Sequence, residues 1–439
     1  MKSTIKYVIL CSLICCVSFE YALGALPEKK SKYNSDTLLV SIEEIDTLHT
    51  WASPLWGHHL PKLGITKSGT QYVAKYSGSY PNSNIDIVQR SSEGTLKTKL
   101  HFNNAYQPSI LLMDSEDRMN VIQNSQTAPM MHFRTDSKIE SIDVDTVAIG
   151  NGLPDGRGWY VGAGISGNKI FLSYVTLSYD LFLTWKNIGD SIWSTPVVIH
   201  PGSIDPVIGN HSWTRPKFDF YGEHGYFVVN EVSDGSVKNT YNAVVLVTFL
   251  LSDPSQFKTE YIDKVPQGYT AFTTDFSISP DGMLVCTYNK GGQIYNTGKN
   301  EKPPEPGTYV AIRKHSKKKW DLHRVLDSPT EGCVLYGKNN SICVFQIHPK
   351  RESTSKNIPV DLVNAYWSAA ITYDNGIHWE NVVVKGSGLE YIAPSHLQLS
   401  KQNAFSLNRT FGLFQDLLST NEERKMRFYR LYWFRAELQ

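Results

Sequence analysis

The strongest constraint on the fold is a pattern that returns along the chain. Each copy has a polar or aromatic start, a short apolar strand, a tight turn and a second strand rich in Tyr, Phe and Val. Copies begin at His59 (HLPKLGITKSGTQYVAKY), Tyr106, Gly158 (GWYVGAGISGNKIFLSY), Trp213, Tyr269, Cys333 and Glu390. The starts lie roughly 45–65 residues apart, a spacing typical of solenoids and propellers. About fifty residues suit four short antiparallel strands with their turns, which make one propeller blade. The expected fold is therefore all-β: a single seven-bladed β-propeller over residues 26–439. Helical periodicity is confined to LFQDLLSTNEERKMR at 413–427.

A second repeat supports the first. SYDLFLTW at 178–185 and TYDNGIHW at 372–379 both fit Ser/Thr-x-Asp-x-x-x-x-Trp. They resemble the Asp box, the Ser/Thr-x-Asp-x-Gly-x-Thr-Trp turn of sialidase-like propellers. The resemblance implies that Asp180 and Asp374 accept backbone N–H groups and close a hairpin between the outer strands of a blade. It also implies that Trp185 and Trp379 wedge between neighbouring sheets. The second copy keeps Gly376, whereas the first has Phe182 there. The expected role of both turns is structural.

The first residues read as a processing segment. Lys2 and Lys6 precede the apolar run YVILCSLICCVSF, and YALGA offers small residues for cleavage. Residues 1–25 are thus expected to be a signal peptide, and the product a secreted or periplasmic protein. The run is short for a membrane span, and no later segment is long and apolar enough to serve. Lys and Arg number 43 against 42 Asp and Glu, which argues against partners held by bulk phosphate attraction, nucleic acid above all. A monomer is expected. Beyond the leader stand Cys286, Cys333 and Cys343, an odd count that makes no disulfide framework. Cys333 and Cys343 flank a plausible hairpin, and whether they pair is left open.

The repeat layout, with GHHLPKLGITKSGTQYVAKY, GWYVGAGISGNKIFLSY and SWTRPKFDF, resembles the group that holds the propeller ulvan lyases and related carbohydrate-active enzymes. That resemblance implies β-elimination on uronic-acid oligo- or polysaccharides. The proton α to a sugar carboxylate is very weakly acidic. Something must neutralise the carboxylate while a base takes the proton, and an acid must meet the departing oxygen at C4. His and Tyr suit the proton transfers, and Arg offers the carboxylate a charged, bidentate fork.

The candidates stand where the repeats begin. His58 and His59 lie where the lyases carry His-Asn-x-Pro, here His-His-Leu-Pro. Tyr160 follows Trp159 at the third start, and His211 and Arg215 lie in NHSWTRP at the fourth. Departures accompany the match. Asn120 stands where a paired His is found in the lyases, and FLSYVTLSYD lacks the Arg that follows this strand there. The departures fit a remodelled site, such as one that eliminates water from a terminal uronate. A non-catalytic glycan-binding propeller and a rhamnosidase-like glycoside hydrolase are the competing readings. No cofactor is expected. No zinc or EF-hand motif is present, and DSED at 114–117 reads as a solvated hairpin.

Overall fold

The computed structural model describes residues 37–50, 61–78, 83–91, 93–103, 105, 108–124, 130–147, 159–176, 178–202, 210–234, 240–266, 269–291, 304–327, 332–337, 341–348, 366–387, 394–400, 409–421 and 426–439. They form strands, turns and bends, with no helix among them. The region from Asp36 to Gln439 is one compact unit.

Strand β1 (Thr37–Thr50) precedes a series of antiparallel quartets. The first is β2 (Leu63–Ile65), β3 (Gln71–Ser77), β4 (Asn84–Arg90) and β5 (Leu96–Phe102). The second is β6 (Ile110–Met113), β7 (Met119–Gln123), β8 (Met131–Thr135) and β9 (Ile142–Thr146). The third is β10 (Trp159–Ser166), β11 (Lys169–Val175), β12 (Leu181–Asn187) and β13 (Val197–His200). The fourth is β14 (Asn210–Tyr221), β15 (His224–Asp234), β16 (Thr240–Leu250) and β17 (Phe257–Lys264). The fifth is β18 (Ala271–Ile278), β19 (Met283–Lys290), β20 (Gly307–Lys314) and β21 (Asp321–Leu326).

The remaining strands share one eight-stranded sheet. It runs β22 (Gly332–Tyr336), β23 (Ile342–His348), β24 (Tyr366–Thr372), β25 (Glu380–Ser387), then β1, β28 (Met426–Leu438), β27 (Arg409–Asn421) and β26 (Pro394–Ser400). It is two antiparallel quartets joined by the parallel pair β25–β1, in register from Thr37 opposite Val383 to Ser41 opposite Ser387. Each repeat start in the sequence falls within a few residues of a quartet's first strand. The first strands touch one another in succession, and β26 returns to β2.

Buried apolar clusters fill the gaps between successive quartets. Ile110, Leu112, Leu172 and Tyr174 lie between the second and third, and Phe171, Leu183, Phe227 and Val245 between the third and fourth. Leu48, Leu431 and Trp433 pack on Leu63, Val73 and Val88, joining the last quartet to the first. Alternating positions on the second strands β3, β7, β11, β15, β19 and β23 feed two gaps at once, so these strands are buried on both faces. Truncating one such Leu or Phe to Ala costs about 2–5 kcal/mol.

Two expectations are corrected, and the cysteine question left open is filled in. Residues 413–421 and 426–427 are strand rather than helix: β27 is hydrogen-bonded to β26 on one side and β28 on the other, and that pairing overrides the local period. Cys333 and Cys343 do flank a β22–β23 hairpin, but both are buried thiols, with Cys333 opposite Phe345 and Cys343 opposite Leu335. The two aspartate turns are not equivalent. Asp374 lies in the hairpin between the third and fourth strands of its quartet, whereas Asp180 lies between the second and third strands of its own.

Candidate functional site

In four quartets the end at which the first strand begins, here the leading end, departs from regular sheet. Register shifts interrupt β10 between Trp159 and Gly162, β14 between Thr214 and Lys217, β18 between Thr273 and Asp275, and β26 between Pro394 and His396. Such bulges bend a strand and re-aim a side chain. Tyr160 and Arg215 occupy the bulges of β10 and β14 with left-handed backbone, φ 46° and 63°. That conformation costs a bulky L-residue about 1–2 kcal/mol, so the surroundings must hold it.

The two bulges face each other. A Cβ on Gly162 would stand 2.1 Å from the Pro216 carbonyl oxygen, and one on Gly164 2.7 Å from the Phe220 ring. Only glycine lets β10 run so close to β14. Tyr160 packs against the cluster that contains Trp213, two residues before Arg215. The Arg215 guanidinium lies over the Phe272 ring of the fifth quartet, 3.9 Å from its centroid. The β14 bulge thus borders the third quartet through Gly162 and Pro216 and the fifth through Arg215 and Phe272.

The other candidates fall outside this description. His58 and His59 lie outside the described residues. His211 is paired with Ser233 in β14, but its side chain is also outside them. Asn120, by contrast, is a core amide: its Oδ1 is 3.0 Å from Nε2 of the buried His132.

Three residues at the leading ends carried no motif in the sequence. Lys62, just before β2, is fully buried, and burial pushes its ammonium well below the usual lysine range. Glu231 is buried in β15, and Tyr261 of β17 is pushed up to about 12, first by burial and then by its hydrogen bond to Glu231. Among the described residues, no cluster of His, Cys, Asp and Glu could hold a metal ion.

The two aspartate turns sit at opposite ends of their sheets. Asp374 is at the far end, where its Oδ1 accepts the His378 N–H at 2.9 Å and the Thr372 hydroxyl at 2.9 Å. Trp379 packs between the fifth quartet and the one after it, as expected. Asp180 is at the leading end and accepts the Gly202 N–H at 2.7 Å and the Ser178 hydroxyl at 2.6 Å. Asp374 has unadvertised counterparts at the same place in other quartets. Asp136 accepts the Glu140 N–H at 2.8 Å, and Ser91 accepts the Thr95 N–H at 3.1 Å. The far-end DSED turn is closed likewise, with Asp114 accepting N–H groups of Glu116 and Arg118.

No protein-family model and no curated protein sequence matches the chain. Solved structures do. An ulvan lyase of polysaccharide lyase family PL25, bound to -[GlcA(1-4)Rha3S]-, aligns with a TM-score of 0.58 at 12% identity, over 91% of this chain and 95% of that one. The polysaccharide lyase Uly1 aligns at 0.55 and 8% identity, over 86% and 90%. The BP39L lectin of Burkholderia pseudomallei aligns at 0.51 and 12% identity, over 88% and 93%. The fold is propeller-like. It is the fold of carbohydrate-active proteins, shared by lyases and a lectin alike.

Proposed function

We propose that this chain is an exported seven-bladed propeller that breaks C–O bonds in uronic-acid glycans by β-elimination. The observation that carries the reading is the pair of left-handed bulges, at Tyr160 and Arg215, on the closely packed first strands β10 and β14. Arg215 takes the uronate carboxylate, where a planar cation withdraws charge and acidifies the α proton. Tyr160 and His211 share the proton transfers, with His58 and His59 joining from the first repeat. The base removes the proton at C5, its electron pair forms the C4–C5 double bond, and the C4–O bond breaks as the acid protonates the departing oxygen.

Hydrolysis on this scaffold would call instead for two carboxylic acids some 5–10 Å apart. Glu231 is buried in the gap between quartets and hydrogen-bonded to Tyr261. The uronate-containing ligand of the PL25 structure suggests ulvan fragments as the first substrates to try.

The test is a mass-spectrometric screen of the purified protein against ulvan and other acidic oligosaccharides. Products carrying an unsaturated uronate, or a terminal uronate short of one water, support elimination. Saturated products on both sides of the cut mean hydrolysis. Binding without any product means a lectin-like role.

A further inference from the structure

An arginine side chain carries about 2 kcal/mol of rotamer entropy, so a clamp built on Arg215 is useful only if something fixes its plane. The Phe272 ring does so from below, 3.9 Å from the guanidinium carbon. A face contact uses the π-system and none of the five N–H donors, so the fork keeps its in-plane geometry.

Phe272 is itself held by one buried side chain. Asn230, with no exposed surface, donates from Nδ2 to the Ala271 carbonyl at 2.8 Å and accepts the Thr273 N–H on Oδ1 at 3.1 Å. The amide therefore brackets Phe272 on both sides, and Nδ2 also donates to the Ala243 carbonyl at 3.2 Å. Asn230 pairs with Thr214, the residue before Arg215, across β14–β15. On the other side, Lys217 is ion-paired with buried Asp275, whose Oδ2 accepts the Val334 N–H at 3.0 Å. The strand that carries Phe272 is thus tied to the strand that carries Arg215 by Lys217 and Asp275, and to that strand's neighbour β15 by Asn230.

We infer that Phe272, bracketed by Asn230, is a positioning residue that orients Arg215 for a sugar carboxylate; this rests on the elimination reading above. It sets specificity for acidic over neutral sugars, since a fixed fork rewards a planar anion far more than a hydroxyl.

The experiment is calorimetric binding of glucuronate-terminated ulvan oligosaccharides and of the same oligosaccharides with the carboxyl reduced to the alcohol. Proteins compared are the parent, Phe272→Leu, Phe272→Trp and Arg215→Ala, each checked by thermal melting. Leu fills the space without a π-face. It is expected to weaken the acidic ligand roughly 3- to 30-fold, the range of a cation–π contact, while leaving the reduced ligand unchanged. Trp is expected to restore the preference, and it carries the test should the Leu variant melt early.

Equal losses for both ligands in Phe272→Leu, or no loss at all, would overturn the inference while Arg215→Ala still abolished the preference. A parent protein that binds acid and alcohol equally would remove the uronate reading, and this inference with it.

Discussion

The two ends of the same sheets are built by different rules. At the far end, the first hairpins turn on small residues that accept left-handed backbone readily: Gly69, Gly167, Gly222 and Gly282, with Asp117 in the second quartet. Side-chain oxygens of Ser91, Asp136 and Asp374 cap the third-to-fourth hairpins there. At the leading end, the left-handed residues other than glycine are Tyr160, Tyr179 and Arg215, and the strands bulge. Apart from Ile139, left-handed at φ 60° in the second quartet, far-end irregularity is inexpensive and closes turns. Leading-end irregularity is costly, and it falls on large side chains with polar tips in adjacent quartets. Strain of this kind is what the proposed site at the leading end rests on.

The most disruptive way to break this contrast is Gly162→Val. Its Cβ would enter the Pro216 carbonyl, a backbone atom that cannot rotate away. A loss of more than about 3 kcal/mol is expected from chemical denaturation, with activity lost alongside. Arg215→Ala should lower turnover of ulvan fragments by about a hundredfold or more, the scale for removing a transition-state charge contact, with an unaltered circular dichroism spectrum.

The two aspartates sharpen the comparison further. Asp374→Ala should cost about 1 kcal/mol of stability and leave activity unchanged, whereas Asp180→Ala should cost a similar amount and also lower activity several-fold. Paired denaturation and rate measurements read both. If both variants lowered activity alike, the distinction between the ends would fail.

The smallest effect concerns acid. Asp374 is held below the usual carboxylate value: burial pushes it up, but hydrogen bonds from the His378 N–H, the His378 ring and the Thr372 hydroxyl together outweigh that. Asp136 is lowered chiefly by the Glu140 N–H. A depressed folded value stabilises the protein above the unfolded one, and that stability is lost as pH falls through the folded value. The melting temperature should therefore drop below about pH 4, and less steeply in Asp374→Asn.

Much of this architecture was legible in the sequence, because each quartet spends its apolar residues on two short strands beside a turn. Strand β1 was not. Its alternation is broken where the register shifts between Glu44 and Asp46, so the period of two fades although the strand pairs fully with β28. The aspartate pattern predicted hydrogen-bonded turns and both Trp wedges, yet not which end of a sheet each turn occupies. A donor N–H four residues beyond the Asp, as His378 stands to Asp374, suits any tight loop, and topology alone decides the rest. Tyr160 and Arg215 were legible from aromatic and Trp-x-Arg-Pro contexts at strand starts. Phe272 and Asn230 were not, since their partnership joins β15 to β18 and leaves no local signature.

The most direct test of the leading-end site follows ultraviolet absorbance of an unsaturated uronate when parent protein and Tyr160→Phe are given glucuronate-containing ulvan oligosaccharides. A steady rise with the parent, lost in the Phe variant at unchanged melting temperature, is the predicted result. No rise with the parent, or the same rise in both, would contradict it.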